Sequence, residues 1–337
     1  MSDQTESRRL GLGQSGMDEL VDKIRLGDRH SLARAMSLLD RPACPDLKLE
    51  DRLRQSTGQV PWWGVTGPPG VGKSTLIDAL IGMLRGRGRR VGVVAVDPTS
   101  PLSNGALLGD RIRMMRHAVD RDVFIRSLAT HGREGGLSDA AIHCARLLEL
   151  ADYDPVLIET VGVGQSEVDI SWVADICVVV LGPGYGDDIQ VSKAGLLEVC
   201  DIVVVNKCDL PEANGLLQDV HAELRVTPAA RSVEIVGVEA KSGKGVDELL
   251  DKLLELDLVA RGEEQRRHHG YRRILGEIRH RAMSSYRQML ESKLRGEDGQ
   301  DLVTRLARGD LTLDAVVARL ADATPAAQQG RADDGSG

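Results

Sequence analysis

The stretch Gly67-Pro68-Pro69-Gly70-Val71-Gly72-Lys73-Ser74-Thr75 has the spacing G-x-x-x-x-G-K-[ST] that cradles phosphate. Its glycines let the backbone curl so that the N–H groups of Gly70, Val71 and Gly72 point inward at an anion. Lys73 can reach the β- and γ-phosphates, and the Ser74 hydroxyl can ligate Mg²⁺. A helix opening at Thr75 adds the positive end of its dipole. Three acids follow at positions suited to the same chemistry. Asp97 closes an apolar run, Asp110 sits in the glycine-containing segment 105–111, and Glu159 closes a second apolar run with Gly162 three residues on. Acid-x-x-Gly at a strand end senses a γ-phosphate: the carboxylate holds Mg²⁺ directly or through water, and the glycine N–H meets the phosphate. Because Mg²⁺ takes only one or two carboxylates, Asp97, Asp110 and Glu159 are not expected to bind it all at once, with Asp97 and Asp110 exchanging places as the nucleotide changes.

Further along, Asn206-Lys207-Cys208-Asp209 fits N-K-x-D. Asp209 can accept two hydrogen bonds from the N1–H and exocyclic amine of guanine, which adenine does not offer in that geometry. The Lys207 stem can pack along the base, and Asn206 can brace the loop. The backbone N–H of Ala240, in Glu239-Ala240-Lys241, is placed to meet guanine O6. Directly after Gly162 stands Val163, where many GTP-hydrolysing enzymes carry the glutamine that orients the attacking water. A valine cannot hydrogen-bond, so slow intrinsic turnover is expected, accelerated by a partner. Gln165 is the nearest group to orient water, with Lys193 or a loop arginine to stabilise charge. The catalytic candidates are therefore Lys73, Glu159 and Gln165.

These groups need strand ends and helix starts to hold them. Strands are predicted over 62–66, 90–96, 123–126, 155–158, 176–181, 201–205 and 233–238, most of them near-continuous β-branched runs suited to a sheet buried on both faces. Helices are predicted over 75–85, 137–150 and 245–256. Strands alternating with helices give an α/β fold, a doubly wound, mostly parallel sheet. Before it, Leu20, Ile24, Leu32, Met36 and Leu39 recur at helical spacing, broken at Gly27-Asp28, where Asp28 can cap a second helix. Residues 47–55 read as a short charged helix. After the sheet, a long charged helix is predicted over 263–295, with Ile274, Leu275, Ile278, Met283, Tyr286, Met289 and Leu290 as its apolar stripe. Shorter helices follow at 302–306 and 311–320. The expected division is a disordered tail 1–16, a helical extension 17–57, a nucleotide domain 58–257, a helical dimerisation arm 258–323 and a disordered tail 324–337.

Aromatic residues make up only 2% of the chain, so the core must be aliphatic and a base-stacking platform for single strands is excluded. A net charge of −8 without a basic face argues against nucleic acid. The five cysteines lack C-x-x-C pairs and zinc spacing, which fits reduced thiols of a cytoplasmic protein. No apolar run is long enough to span a membrane, and the first ten residues lack the apolar stretch of a signal peptide.

The set GPPGVGKST (67–75), VDPTSP (96–101), LLGDRIRM (107–114), IETVGVGQSE (158–167) and NKCDL (206–210) resembles the MeaB/ArgK family of P-loop GTPases, in order over most of residues 60–250. The resemblance implies a homodimeric GTPase that acts as a chaperone of adenosylcobalamin-dependent methylmalonyl-CoA mutase, loading and protecting its cofactor. It implies that Lys73 and the loop amides hold phosphate, and that Ser74, Asp97, Asp110 and Glu159 surround Mg²⁺. It implies that Asn206, Lys207 and Asp209 read the guanine of GTP or GDP, and that 182–193 is a loop responsive to the partner. His131 stands where the family often has arginine. Glu239 stands where serine is common before the base-contacting alanine, which is expected to loosen the guanine loop. Two other readings stay open: a metallochaperone GTPase, for which dense Cys/His clusters are missing, and a kinase of an amino-acid transport system, for which no phosphoacceptor site is visible.

Overall fold

The apolar runs fold into strands β1 (Trp62–Thr66), β2 (Val91–Asp97), β3 (Val123–Ala129), β4 (Val156–Glu159), β5 (Ile176–Leu181), β6 (Ile202–Val205) and β7 (Glu234–Gly237). In this computed structural model the described residues are 14–39, 53, 60–97, 115–117, 119–129, 139–160, 166–184, 196–226 and 233–322. The strands form one seven-stranded sheet in the order β3-β2-β4-β1-β5-β6-β7, every pairing parallel. All five residues of β1 and all six of β5 are buried, because a parallel sheet is covered on both faces.

Alternate residues of each strand divide between the two faces. Trp62, Val94, Ile158, Val179 and Val203 join one core with helices α1 (Gln14–Arg25), α2 (Arg29–Leu39), α4 (Asp139–Leu150), α5 (Ser166–Val173) and α6 (Ala213–Val226). Trp63, Val65, Val93, Leu157, Val178 and Val204 join the other with α3 (Lys73–Gly86) and α7 (Val246–Ala260). The sheet is thus doubly wound. The preface helices belong to the first core: Leu20, Ile24, Leu32, Met36 and Leu39 are all buried there. Asp28 caps α2 as expected. Its Oδ2 accepts the Ser31 amide at 3.1 Å and its Oδ1 the His30 amide at 3.3 Å, and the Ser31 contacts hold its carboxyl below the usual range.

Some expected boundaries move. Helix α1 begins at Gln14, inside the segment expected to be a disordered tail. Helix α3 opens at Lys73 rather than Thr75, and α7 runs on to Ala260 rather than stopping at Leu256. Strand β3 extends to Ala129 because it pairs with the whole of β2, a reward that local composition does not reveal. The tails 1–13 and 323–337, and the expected helix at 47–55 apart from Leu53, lie outside the described residues.

The chain divides into two compact units, Met1–Glu277 and Ile278–Gly337, and the long helix α8 (Glu263–Arg295) has residues in both. In the first unit α8 turns a polar face inward. Arg273, Gly276 and Glu277 are buried, whereas Ile274 of the expected apolar stripe is 45% exposed. Arg273 lies over the Trp62 ring and pairs with Asp175 and Glu149, while Glu277 pairs with Arg146 of α4. Asp175 also accepts the Trp62 amide at 2.7 Å, so these charges anchor the starting ends of β1 and β5. Burial pushes the Arg273 guanidinium down to about 10, which leaves it charged at neutral pH. In the second unit, α9 (Glu297–Ala307) and α10 (Leu313–Asp322) follow the end of α8, and Lys293 Nζ donates to Leu320 O at 2.6 Å.

Candidate nucleotide site

Strands β1, β4, β6 and β7 deliver their following loops at one edge of the sheet, the carboxyl edge where open α/β sheets bind ligands. The phosphate loop leaves β1 there. Gly72 caps α3 with φ 100°, and a Cβ at this position would run into Asn206 Nδ2, so glycine is required twice over. Lys73 and Ser74 occupy the first turn of α3 and are both buried. Lys73 Nζ donates to Gly67 O at 2.8 Å and Pro68 O at 3.0 Å, lying along the loop it is expected to serve. Gly70 is exposed at the loop's crest, beside buried Val71, and Thr75 is half-buried behind it.

Ser74 Oγ donates to Glu159 Oε1 at 2.8 Å, which brings together two of the four residues expected around Mg²⁺. Asp97 is the last residue of β2, and β2 pairs with β4 so that Ala95 faces Glu159; the backbone of Asp97 therefore reaches the same edge. Asp110, His131, Gly162, Val163, Gln165 and Lys193 lie outside the described residues.

The base-reading turn is wired to the phosphate loop by one buried side chain. Asn206 Nδ2 donates to Val71 O at 2.8 Å, and its Oδ1 accepts the amides of Lys207 at 2.8 Å and Ala240 at 3.0 Å. Lys207 takes a left-handed φ of 62°, and its Nζ donates to Gly70 O at 3.0 Å. Asp209 stands exposed at the turn. The Ala240 N–H, expected to face guanine O6, is thus engaged with Asn206 in this structure. Glu239, expected to loosen the guanine loop, makes hydrogen bonds within it. Lys244 Nζ donates to its Oε1 at 2.8 Å, Ser242 Oγ to its Oε2 at 3.0 Å, and its own amide to Lys244 O at 2.9 Å. The Lys244 and Ser242 contacts hold the Glu239 carboxyl below its ordinary range.

The structure adds groups the sequence reading passed over. Thr160 Oγ1 donates to Thr66 Oγ1 at 2.8 Å, deep beneath the phosphate loop. Arg116 and His117 both pair with Asp78 of α3, at 2.6 and 3.1 Å. Each pair joins residues far apart in sequence, so only the tertiary fold brings them together.

A phosphate loop, an acid at the next strand end and an N-K-x-D turn, arranged on one edge of a doubly wound sheet, define a P-loop GTPase. Within that class the chain belongs to the family described as Methylmalonyl Co-A mutase-associated GTPase MeaB, which matches residues 32–293. It binds guanine nucleotide and hydrolyses GTP. A Pyrococcus abyssi protein with a provisional GTPase designation is 40% identical over 309 residues, 88% of this chain and 93% of that protein. The Methylmalonic aciduria type A homolog, mitochondrial, of Mus musculus is 38% identical over 272 residues, 74% of this chain and 66% of that one. Among solved structures, a LAO/AO transport system kinase superposes with a TM-score of 0.68 at 23% identity, covering 93% of this chain and 98% of its own, which speaks for the fold alone.

Proposed function

We propose that this GTPase is a chaperone of an adenosylcobalamin-dependent acyl-CoA mutase, methylmalonyl-CoA mutase foremost, and that it uses GTP to govern loading and protection of the mutase's cofactor. The observation that carries this reading is the family match over residues 32–293, whose description names the mutase. Lys73 and the amides of Gly70, Val71, Gly72, Ser74 and Thr75 hold the phosphates, with Gly162 meeting the γ-phosphate. Asn206, Lys207 and Asp209 select guanine, with the Ala240 N–H meeting guanine O6 once the nucleotide is bound. Ser74 and Glu159 fit Mg²⁺: a hydroxyl and a carboxylate converge within 2.8 Å, and hard oxygen donors are what this cation takes. Asp97 and Asp110 join them by turns. When bound, Mg²⁺ neutralises charge on the β- and γ-phosphates. Lys73 stabilises the charge that builds on the transferred group, and Gln165 orients the attacking water once the partner has engaged.

The homodimer is supported by the exposed apolar residues of α8: Tyr271, Ile274, Ile278, Met283 and Tyr286 are 42–62% exposed. Among the described residues no helix is long and apolar enough to cross a membrane. Among the described residues no group of three or more His, Cys, Asp or Glu could hold a metal ion. GTP turnover by the purified protein, with and without methylmalonyl-CoA mutase and with ATP as control, tests the proposal. Slow turnover of GTP alone that rises with the mutase supports it, and turnover indifferent to the mutase removes the client.

A further inference from the structure

Strands β1 and β4 pair in parallel from Trp62–Val156 to Val65–Glu159, while Thr66, the last residue of β1, pairs with Val179 of β5 on its other side. Thr66 precedes the phosphate loop, and Thr160 precedes the segment that leads to Gly162. One backbone bond, from the Thr160 amide to Val65 O at 3.1 Å, carries the ladder half a rung further. Among the described residues the last tie is between side chains: Thr160 Oγ1 donates to Thr66 Oγ1 at 2.8 Å, with the two residues 1% and 0% exposed. We propose that Thr66 is a positioning residue for GTP hydrolysis, whose hydroxyl holds Thr160 and thereby fixes the point from which Glu159 meets Ser74 and the chain runs on to Gly162.

The chemistry follows from burial. A hydroxyl pair in a dry interior has no water to replace a lost partner, so removing one hydroxyl leaves the other unsatisfied and free to turn. Glu159, one residue away, is held on its other side by Ser74. The two hydroxyls, one on Thr66 and one on Ser74, flank the phosphate loop and both hold the 159–160 corner. Release of the Thr66 tie lets that corner shift against the loop, and catalysis is sensitive to displacements of an ångström or less. The α- and β-phosphates rest on the loop's own amides, so the defect falls on GTP turnover and spares GDP binding.

The test uses the full chain with Thr66→Val, which keeps shape and removes the hydroxyl. Single-turnover GTP hydrolysis at saturating Mg²⁺ is expected to slow about tenfold, with GDP affinity within about twofold of the parent. Thr66→Ser restores the rate, and Thr66→Val/Thr160→Val is no slower than the slower single variant, because both remove one bond. Unchanged turnover in Thr66→Val overturns the proposal. So does a loss of GDP affinity in step with the rate, which would make the pair a mere support of the phosphate loop, and so does failure of serine to rescue. Thr160→Val, which removes the donor instead, gives the same split and decides the matter if Thr66→Val does not fold.

Discussion

Asn206 Nδ2 donates to Val71 O across 2.8 Å, so a residue at the end of β6 holds the floor of the phosphate loop while its Oδ1 gathers the amides of Lys207 and Ala240. The phosphate-binding, base-reading and base-closing loops therefore share one buried amide group. Asn206→Ala leaves three backbone groups to find other partners, each worth about 1 kcal/mol. Loss of guanine-nucleotide affinity of about 30-fold or more is expected, read by titration of fluorescent GDP. A smaller effect than that of Lys207→Ala would show the bracing to be unimportant.

Asp209 is exposed at the turn, and it is the residue proposed to accept from the guanine N1–H and amine. Asp209→Asn turns one acceptor into a donor. GDP affinity is expected to fall about 100-fold, and binding of xanthosine diphosphate, which carries a carbonyl in place of the amine, to rise. Competition of the two nucleotides against a labelled probe checks both directions.

Removal of Mg²⁺ with EDTA is expected to abolish GTP turnover, and Ser74→Ala to reproduce most of that loss at millimolar Mg²⁺ by deleting the hydroxyl that meets Glu159. Turnover by Ser74→Ala that regains the parent rate at ordinary Mg²⁺ would exclude Ser74 from the cation's shell.

Arg273 is the cation of a buried cluster with Asp175 and Glu149. Arg273→Ala leaves these carboxylates short of their counter-charge and is expected to cost about 3–5 kcal/mol in urea unfolding. Guanine-nucleotide affinity of the folded variant should hardly change, because the cluster lies at the starting ends of β1 and β5, opposite the nucleotide edge.

Burial pushes the Cys200 thiol up to about 12 and the Cys177 thiol well above its ordinary 9.0. The folded protein keeps these protons where the unfolded chain releases them. Their contribution to stability is whole below about pH 9 and shrinks by up to about 1.4 kcal/mol per pH unit per thiol as pH rises toward 12. Urea midpoints compared near pH 7 and about pH 10.5 should fall, and fall less in Cys200→Ala.

Where function demands a local pattern, the sequence is transparent. The phosphate loop, the N-K-x-D turn, the β-branched strands and the Asp28 cap each depend on residues within one short window. Opaque are the features whose partners stand far apart. Thr66 and Thr160 become a pair only when β1 lies beside β4. Arg146, Glu149 and Glu277 look like solvated helix residues until α4 and α8 bury them together. Of the expected apolar stripe of α8, Ile274 is exposed, because buried ion pairs rather than apolar contacts hold this part of the helix. Glu239 misleads for a related reason: its usefulness depends on Lys244, five residues on across a turn.

That polar inner face of α8 also determines which helical turn sits where. Gly276 passes so close to α5 that a Cβ there would lie 2.6 Å from Trp172 O, and Arg272 donates to Ser171 O at 3.0 Å. An apolar stripe tolerates a slip by one turn, since one aliphatic contact replaces another. Here a slip of about 5.4 Å would set a side chain where only glycine fits and strip Asp175 and Glu149 of their cation. The missing Cβ and the buried charges act as a notch and a key. They add little to the free energy of packing, and their expected contribution is to disfavour the docking slipped by one turn, which would leave buried carboxylates without a counter-charge.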